Sequence, residues 1–133
     1  MANVLHIKAA RSASIVTLID AVEFNATTTT YNSAAVKCGA WKHFLLYLNV
    51  DSTATPTDIQ FIVQFSDDGG TTWWTYKQGL FASLFYEDQD TADGINECFS
   101  GDVAGRTMRL RAVATGTTAA NKFTVTAKVE FWA

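Results

Sequence analysis

Residues 122–132 read KFTVTAKVEFW, in which Phe123, Val125, Ala127, Val129 and Phe131 alternate with Lys122, Thr124, Thr126, Lys128 and Glu130. Successive side chains of an extended chain point to opposite faces, so this period of two describes a half-buried strand whose wet face ends in Trp132. The same period appears upstream, where Ile59, Phe61, Val63 and Phe65 alternate around Gln60 and Gln64. Residues 41–50 are apolar on both faces, with Phe44, Leu46, Leu48 and Val50 on one side and Trp41, Leu45 and Tyr47 on the other. That pattern predicts a central strand, covered on both faces or turned toward a partner. Further strands are predicted near residues 71–77, 82–86, 95–99 and 106–115. Turn-forming stretches separate them: DSTATPTD at 51–58 with the only proline, Pro56, then DDGG at 67–70, SGDVAG at 100–105 and TGTTAAN at 115–121. With no helical periodicity, the fold class is all-β, a single antiparallel β-sandwich or jelly roll.

A chain of 133 residues is one domain's worth, and it can bury a core without disulfides or a metal. Hydrophobic residues make up 48% and charged ones 17%, so Thr, Ser, Asn and Gln build much of a surface suited to contacts as well as to water. The formal charge of −3 comes without a basic cluster, which removes the driving term for nucleic-acid binding. Cys38 and Cys98 form no CxxC pair, so neither zinc nor redox chemistry is signalled and two buried, unbonded thiols are expected. The N-terminus has no basic start followed by an apolar run, and no apolar stretch approaches the roughly 20 residues of a membrane span. A soluble protein without an export signal or membrane partner is expected.

Residues 1–24 differ from the rest, and they are set apart from a sandwich at 25–133. VLHIK at 4–8 and SIVTLID at 14–20 are strand-like and are separated by the small residues AARSA. They predict either added strands of the same sheet or an arm that pairs with a neighbouring subunit. Val4, Leu5, Ile7, Ile15, Val16 and Leu18 are accordingly candidate interface residues, as is Trp132 on the wet face of its strand. ATTTTY at 26–31 favours extended backbone and links this segment to the body.

In FSDDGGTTWW at 65–74, the residues Ser66, Asp68, Gly70, Thr72 and Trp73 form S-x-D-x-G-x-T-W, which resembles the Asp-box of sialidases. Folding alone accounts for them. Gly69 and Gly70 supply positive φ for a tight hairpin, Asp68 accepts amide hydrogen bonds within the turn, and the pleat sends one of Trp73 and Trp74 inward. The sialidase resemblance implies the same, since that box lies away from the catalytic centre. Ser66, Asp68, Gly69, Gly70, Thr72 and Trp73 are therefore read as a structural turn.

Glu87, Asp88, Asp90, Asp93, Glu97 and Asp102 lie in a segment without Lys or Arg. EDQDTADG has a passing likeness to a calcium loop, but EF-hand spacing is absent, so a solvated acidic loop that can steer a basic partner is expected. The histidines, His6 and His43, lie on strand-like stretches, and no Ser or Cys has a nucleophile's context. No catalytic residue, cofactor or metal ligand is assigned. Arg109 and Arg111 share one strand face, where they either pair with acids across the sheet or anchor a subunit contact.

SAAVKCGAWKHFLLYLNVDSTATPTDIQFIVQFSDDGGTTWW followed by RTMRLRAVATGTTAANKFTVTAKVEF resembles a small β-sandwich family of virion structural proteins from tailed bacteriophages. Leu48 to Pro56 match its first strand and loop, Ser66 to Trp73 its hairpin, and Arg109 to Phe123 its last hairpin. The resemblance implies a non-catalytic capsid cement or decoration protein, made in the host cytoplasm and carried on the phage head. It also implies binding to the major capsid protein or other virion subunits as a homo-oligomer, with a trimer among the arrangements expected. The alternatives are a head–tail or tail subunit, or a carbohydrate-binding module with exposed Trp rings stacking on sugars. A glycosidase ranks third.

Overall fold

The computed structural model describes residues 14–77, 84–91 and 94–133. Its strands, in chain order, are β1 (Val16–Phe24), β2 (Thr30–Asn32), β3 (Val36–Lys37), β4 (His43–Thr53), β5 (Asp58–Ser66), β6 (Trp74–Thr75), β7 (Leu84–Glu87), β8 (Ile95–Asp102), β9 (Thr107–Thr115) and β10 (Lys122–Trp132). They form two antiparallel sheets. The first has the order β1-β10-β4-β8; the second runs β2-β9-β5-β6, with β3 also on β9 and β7 also on β5. Strand order alternates between layers along the chain, so most connections cross from sheet to sheet.

The inward rows are those the alternation marks. Phe44, Leu46, Leu48 and Val50 of β4 face Ile59, Phe61, Val63 and Phe65 of β5, and β9 and β10 add Met108, Leu110, Ala112, Phe123, Val125, Ala127 and Val129. Each of these side chains is almost wholly removed from water, at about 1.5–3 kcal/mol for a large apolar group. Among the described residues, no helix is long and apolar enough to cross a membrane.

Several expectations change. Residues 109–123 are no hairpin: β9 and β10 lie in different sheets, and the 116–121 segment arches between layers about 10 Å apart. Gly116, at φ 71, abuts Thr57, and Thr118 accepts the Asn121 amide within the same arch. The acidic segment holds a short helical turn, α1 (Asp88–Thr91), where no helix is predicted. The strand predicted at 82–86 is β7, and residues 82 and 83 lie outside the described residues.

Of the two alternatives for residues 1–24, the structure shows added strand for the second half. β1 pairs with β10 of the same chain, from Val16 opposite Val129 to Phe24 opposite Phe123. The register slips twice: between Thr17 and Ile19, where Leu18 and Ile19 are both buried, and between Ile19 and Val22, where Ala21 sits at φ 48 and donates its amide to Thr126 Oγ1. Val16 therefore pairs and Leu18 packs within the chain, whereas Ile15 is 52% exposed. Val4, Leu5 and Ile7 lie outside the described residues.

Candidate functional site

The Asp-box-like turn closes on itself. Ser66 Oγ donates to Asp68 Oδ1 at 2.7 Å and accepts the Gly70 amide at 2.9 Å, and Asp68 Oδ1 accepts the amides of Thr71 and Thr72 at 3.1 and 2.8 Å. Gly69 and Gly70 have φ of 76° and 97°. The Thr72 amide, then the Ser66 hydroxyl, holds the Asp68 carboxyl down at about 2. Three of the turn's own donors thus converge on one carboxylate oxygen, Asp68 Oδ1.

Two measurable consequences follow. Ser66→Ala removes the acceptor of the half-buried Gly70 amide and is expected to cost about 0.5–1.5 kcal/mol in chemical denaturation. Because the folded carboxyl lies below its ordinary value near 3.8, its contribution is intact above pH 4 and is lost as pH falls toward 2. Asp68→Asn should flatten the stability profile in that window; an unchanged acid profile would contradict the hydrogen-bond assignment.

Neither tryptophan of the hairpin enters the core. Trp74 is 65% exposed, and Trp73 lies on the outer face of the second sheet beneath the Arg109 guanidinium, whose Cζ is 4.4 Å from the ring centroid. Tyr76 takes the inward position instead. Arg109 Nε donates to Gln64 Oε1 at 2.8 Å, and an Arg111 Nη1 contact reaches Asn32 Oδ1 at 3.5 Å. Among the described residues neither arginine makes an ion pair, so amides rather than acids are their partners across the sheet. Burial, then the neighbouring Arg111 charge, pulls the Arg109 guanidinium below its ordinary value.

The outer face of the first sheet carries a different surface. An open groove of about 520 Å³ is lined by Ile15, Tyr47, Asn49, Asn96, Cys98 and Lys128, among others. Asn49 Nδ2 donates to Asn96 Oδ1 at 2.8 Å along its floor. Tyr47 stands opposite Cys98, which is exposed on edge strand β8, contrary to the expectation that both thiols are buried. Cys38 does meet that expectation, and burial pushes its thiol up to about 11. At one end of this sheet His43 Nδ1 lies 3.0 Å from Asp102 Oδ1, with the imidazole 5.5 Å from the Trp132 ring. Trp132 is thus outward, as the alternation has it.

Among the described residues no three His, Cys, Asp or Glu side chains form a metal-holding group. Asp88 accepts from Ser52 Oγ at 2.9 Å, Asp102 serves His43, and Glu97 lines the groove. Asp93 lies outside the described residues. What the sequence reading misses is the groove and the His43–Asp102–Trp132 group. Alternation places each residue on a wet face, but only the register of β4 with β8 and β10 brings them together.

No protein-family model matches the chain, and no curated protein matches it in sequence. Solved structures share its fold. The PBSX exported protein XepA aligns with 91% of this chain and 37% of its own at a TM-score of 0.60 and 14% identity. A chain from infectious bursal disease virus, Gx strain, aligns over 91% of this chain and 33% of its own, at 0.56 and 12%. TmCBM61, solved in complex with β-1,4-galactotriose, aligns over 92% and 88%, at 0.52 and 12%. The chain thus spans about a third of the length of the first two. Identities this low establish a common all-β sandwich.

Proposed function

We propose that the protein is a non-enzymatic structural subunit of a virus particle, a cement or decoration protein that binds the assembled phage head in several copies. The observation that supports this is the division of labour between motif and surface. The single enzyme-like motif is consumed by its own turn, while the outward rows of both sheets present Trp, Tyr and Arg side chains. Aromatic and arginine side chains are those enriched where proteins meet. The motif order that resembles phage sandwich proteins, and a fold shared with XepA and a viral chain, point the same way. A position at the head–tail junction or in the tail would use the same surfaces. Identification of the proteins in purified particles tests the reading: the chain should be present, and particles lacking it should release their contents at lower temperature. A chain absent from particles sinks it.

One observation favours a second reading, a carbohydrate-binding module. The groove on the first sheet combines the Tyr47 ring with the amides of Asn49 and Asn96, the donors, acceptors and apolar face that a sugar ring requires. Titration with β-1,4-galactotriose and related oligosaccharides separates the two readings. Saturable binding abolished by Tyr47→Ala would favour the module.

A further inference from the structure

The outward face of the second sheet gathers positive charge that the sequence scatters. Met108, Leu110 and Ala112 of β9 point into the core, so Thr107, Arg109 and Arg111 point out, and the register of β3 sets Lys37 beside Thr107. Next to them Lys37 and Arg106 line an open cleft of about 520 Å³, together with Thr107, Gly69 and Asp67. Among the described residues none of Lys37, Arg106, Arg109 and Arg111 makes an ion pair. Asp67 shares the cleft without coming within salt-bridge distance of either cation, and Asp68 Oδ1 is taken by donors of its own turn. The carboxylates of β5 and β7, Asp58 and Glu87, lie at the far end of the face, with Asp58 about 13 Å along β5 from Ile62, the neighbour of Arg111.

The two arginines are also held in place. Arg109 Nε donates to Gln64 Oε1 at 2.8 Å and its Cζ lies 4.4 Å from the Trp73 ring centroid, while Arg111 Nη1 reaches Asn32 Oδ1 at 3.5 Å. Among the described residues the Arg109 Nη nitrogens meet no acceptor, so a braced guanidinium keeps its terminal fork for an external one. Two guanidiniums two residues apart on one strand face stand about 7 Å from each other and repel, and a carboxylate set against each removes that repulsion. An extended peptide repeats its side chains on one face at the same spacing of about 7 Å. We propose that this face docks an acidic, extended segment of a partner protein, with carboxylates of alternate residues on Arg109 and Arg111 and further acidic groups toward Lys37 and Arg106. A nucleic acid would bring the same sign of charge, but it also calls for open rings on which bases stack. Arg109 lies over the Trp73 ring, and Trp74 shares its row with Phe65 on the opposite face of the sheet. The chain's net charge of −3 repels a long polyanion, whereas a short acidic segment meets only the basic end.

The proposal deepens the virion reading by naming a face and the chemistry of its contact, and it rests on that reading only for whose segment is bound. The two fail separately: peptide binding by a chain absent from particles sinks the virion reading alone, and a particle protein that binds no acidic peptide sinks the proposal alone. Fluorescence anisotropy of a labelled peptide of alternating Glu and Thr measures the contact. The purified protein should bind it saturably at low ionic strength, and more weakly as salt screens the charges. R109Q and R111Q should each weaken binding at least about tenfold. K42Q removes the same charge beside the first sheet and should change it less than about twofold. If R109Q fails to fold without its contacts to Trp73 and Gln64, R111Q decides, since its 3.5 Å contact with Asn32 is the one lost there. Absence of saturable binding, a peptide indifferent to R111Q, an equal loss in K42Q, or a single-stranded oligonucleotide of the same charge bound more tightly than the peptide would each overturn the proposal.

Discussion

Removal of residues 1–24 is expected to abolish cooperative folding. β1 begins at Val16 and contributes Leu18, Ile19 and Phe24 to the core, the last two fully buried. At about 1.5–3 kcal/mol each, their loss removes on the order of 5–9 kcal/mol. A domain of this size has about 5–15 kcal/mol in all. The deletion also uncovers β10 along its whole register with β1, from Phe123 to Val129, leaving an unpaired strand edge. A chain starting at residue 25 should therefore aggregate or unfold without a sharp transition. A chain starting at residue 14 keeps every contact of β1 with the other described residues and should unfold at the parent midpoint. Of the two alternatives for residues 1–24, the arm is thereby left to residues 1–13, and the shorter deletion is the one that can test whether Val4, Leu5 and Ile7 engage a neighbour in particles. A folded, fully stable 25–133 fragment would contradict the packing of β1.

Half-buried strands were legible because their environment is written into their own residues: 59–65 and 122–132 alternate, and every inward position they mark is buried. Which sheet a strand joins leaves no such trace. TGTTAAN can close a hairpin or arch between layers, so residues 109–123 read as a hairpin although β9 and β10 never pair. The two tryptophans misled for a local reason. Alternation from Thr72 presumes a ladder there, but Asp68 holds the Thr71 and Thr72 amides in the turn and pairing resumes only at Trp74, which shifts the inward position to Tyr76. The shared face of Arg109 and Arg111 was legible, their partners were not, because Gln64 and Asn32 become neighbours only through the registers of β9 with β5 and β2. Cys98 was assigned inside on residue type, and its place on the outer row of an edge strand outweighs that preference.

Phe44→Ala is expected to be the most damaging single substitution of the core's aromatic centre. Phe44 is fully buried on β4, and its ring lies 6.0 Å from Phe65 of the opposite sheet and 5.8 Å from Tyr76, which is itself 5.4 Å from Phe65. The three rings tie the first sheet to the strand that follows the hairpin, and the Tyr76 hydroxyl accepts the Asp102 amide at 3.2 Å. Space for the Phe44 ring comes from Gly101, its partner on β8, where an added Cβ would stand 2.6 Å from Phe44 Cζ. Truncation to alanine should cost about 3–5 kcal/mol, the loss for a large aromatic whose cavity collapses poorly. At about 2–4 °C per kcal/mol, the thermal midpoint should fall by roughly 6–20 °C. Gly101→Val should cost about 1–3 kcal/mol on its own by overpacking the same space. Because the valine methyls enter the volume that Phe44→Ala vacates, the double variant should lose less than the sum of the two. Urea denaturation of the four proteins measures this cycle, and strict additivity would show that Gly101 is not where the Phe44 ring finds its room.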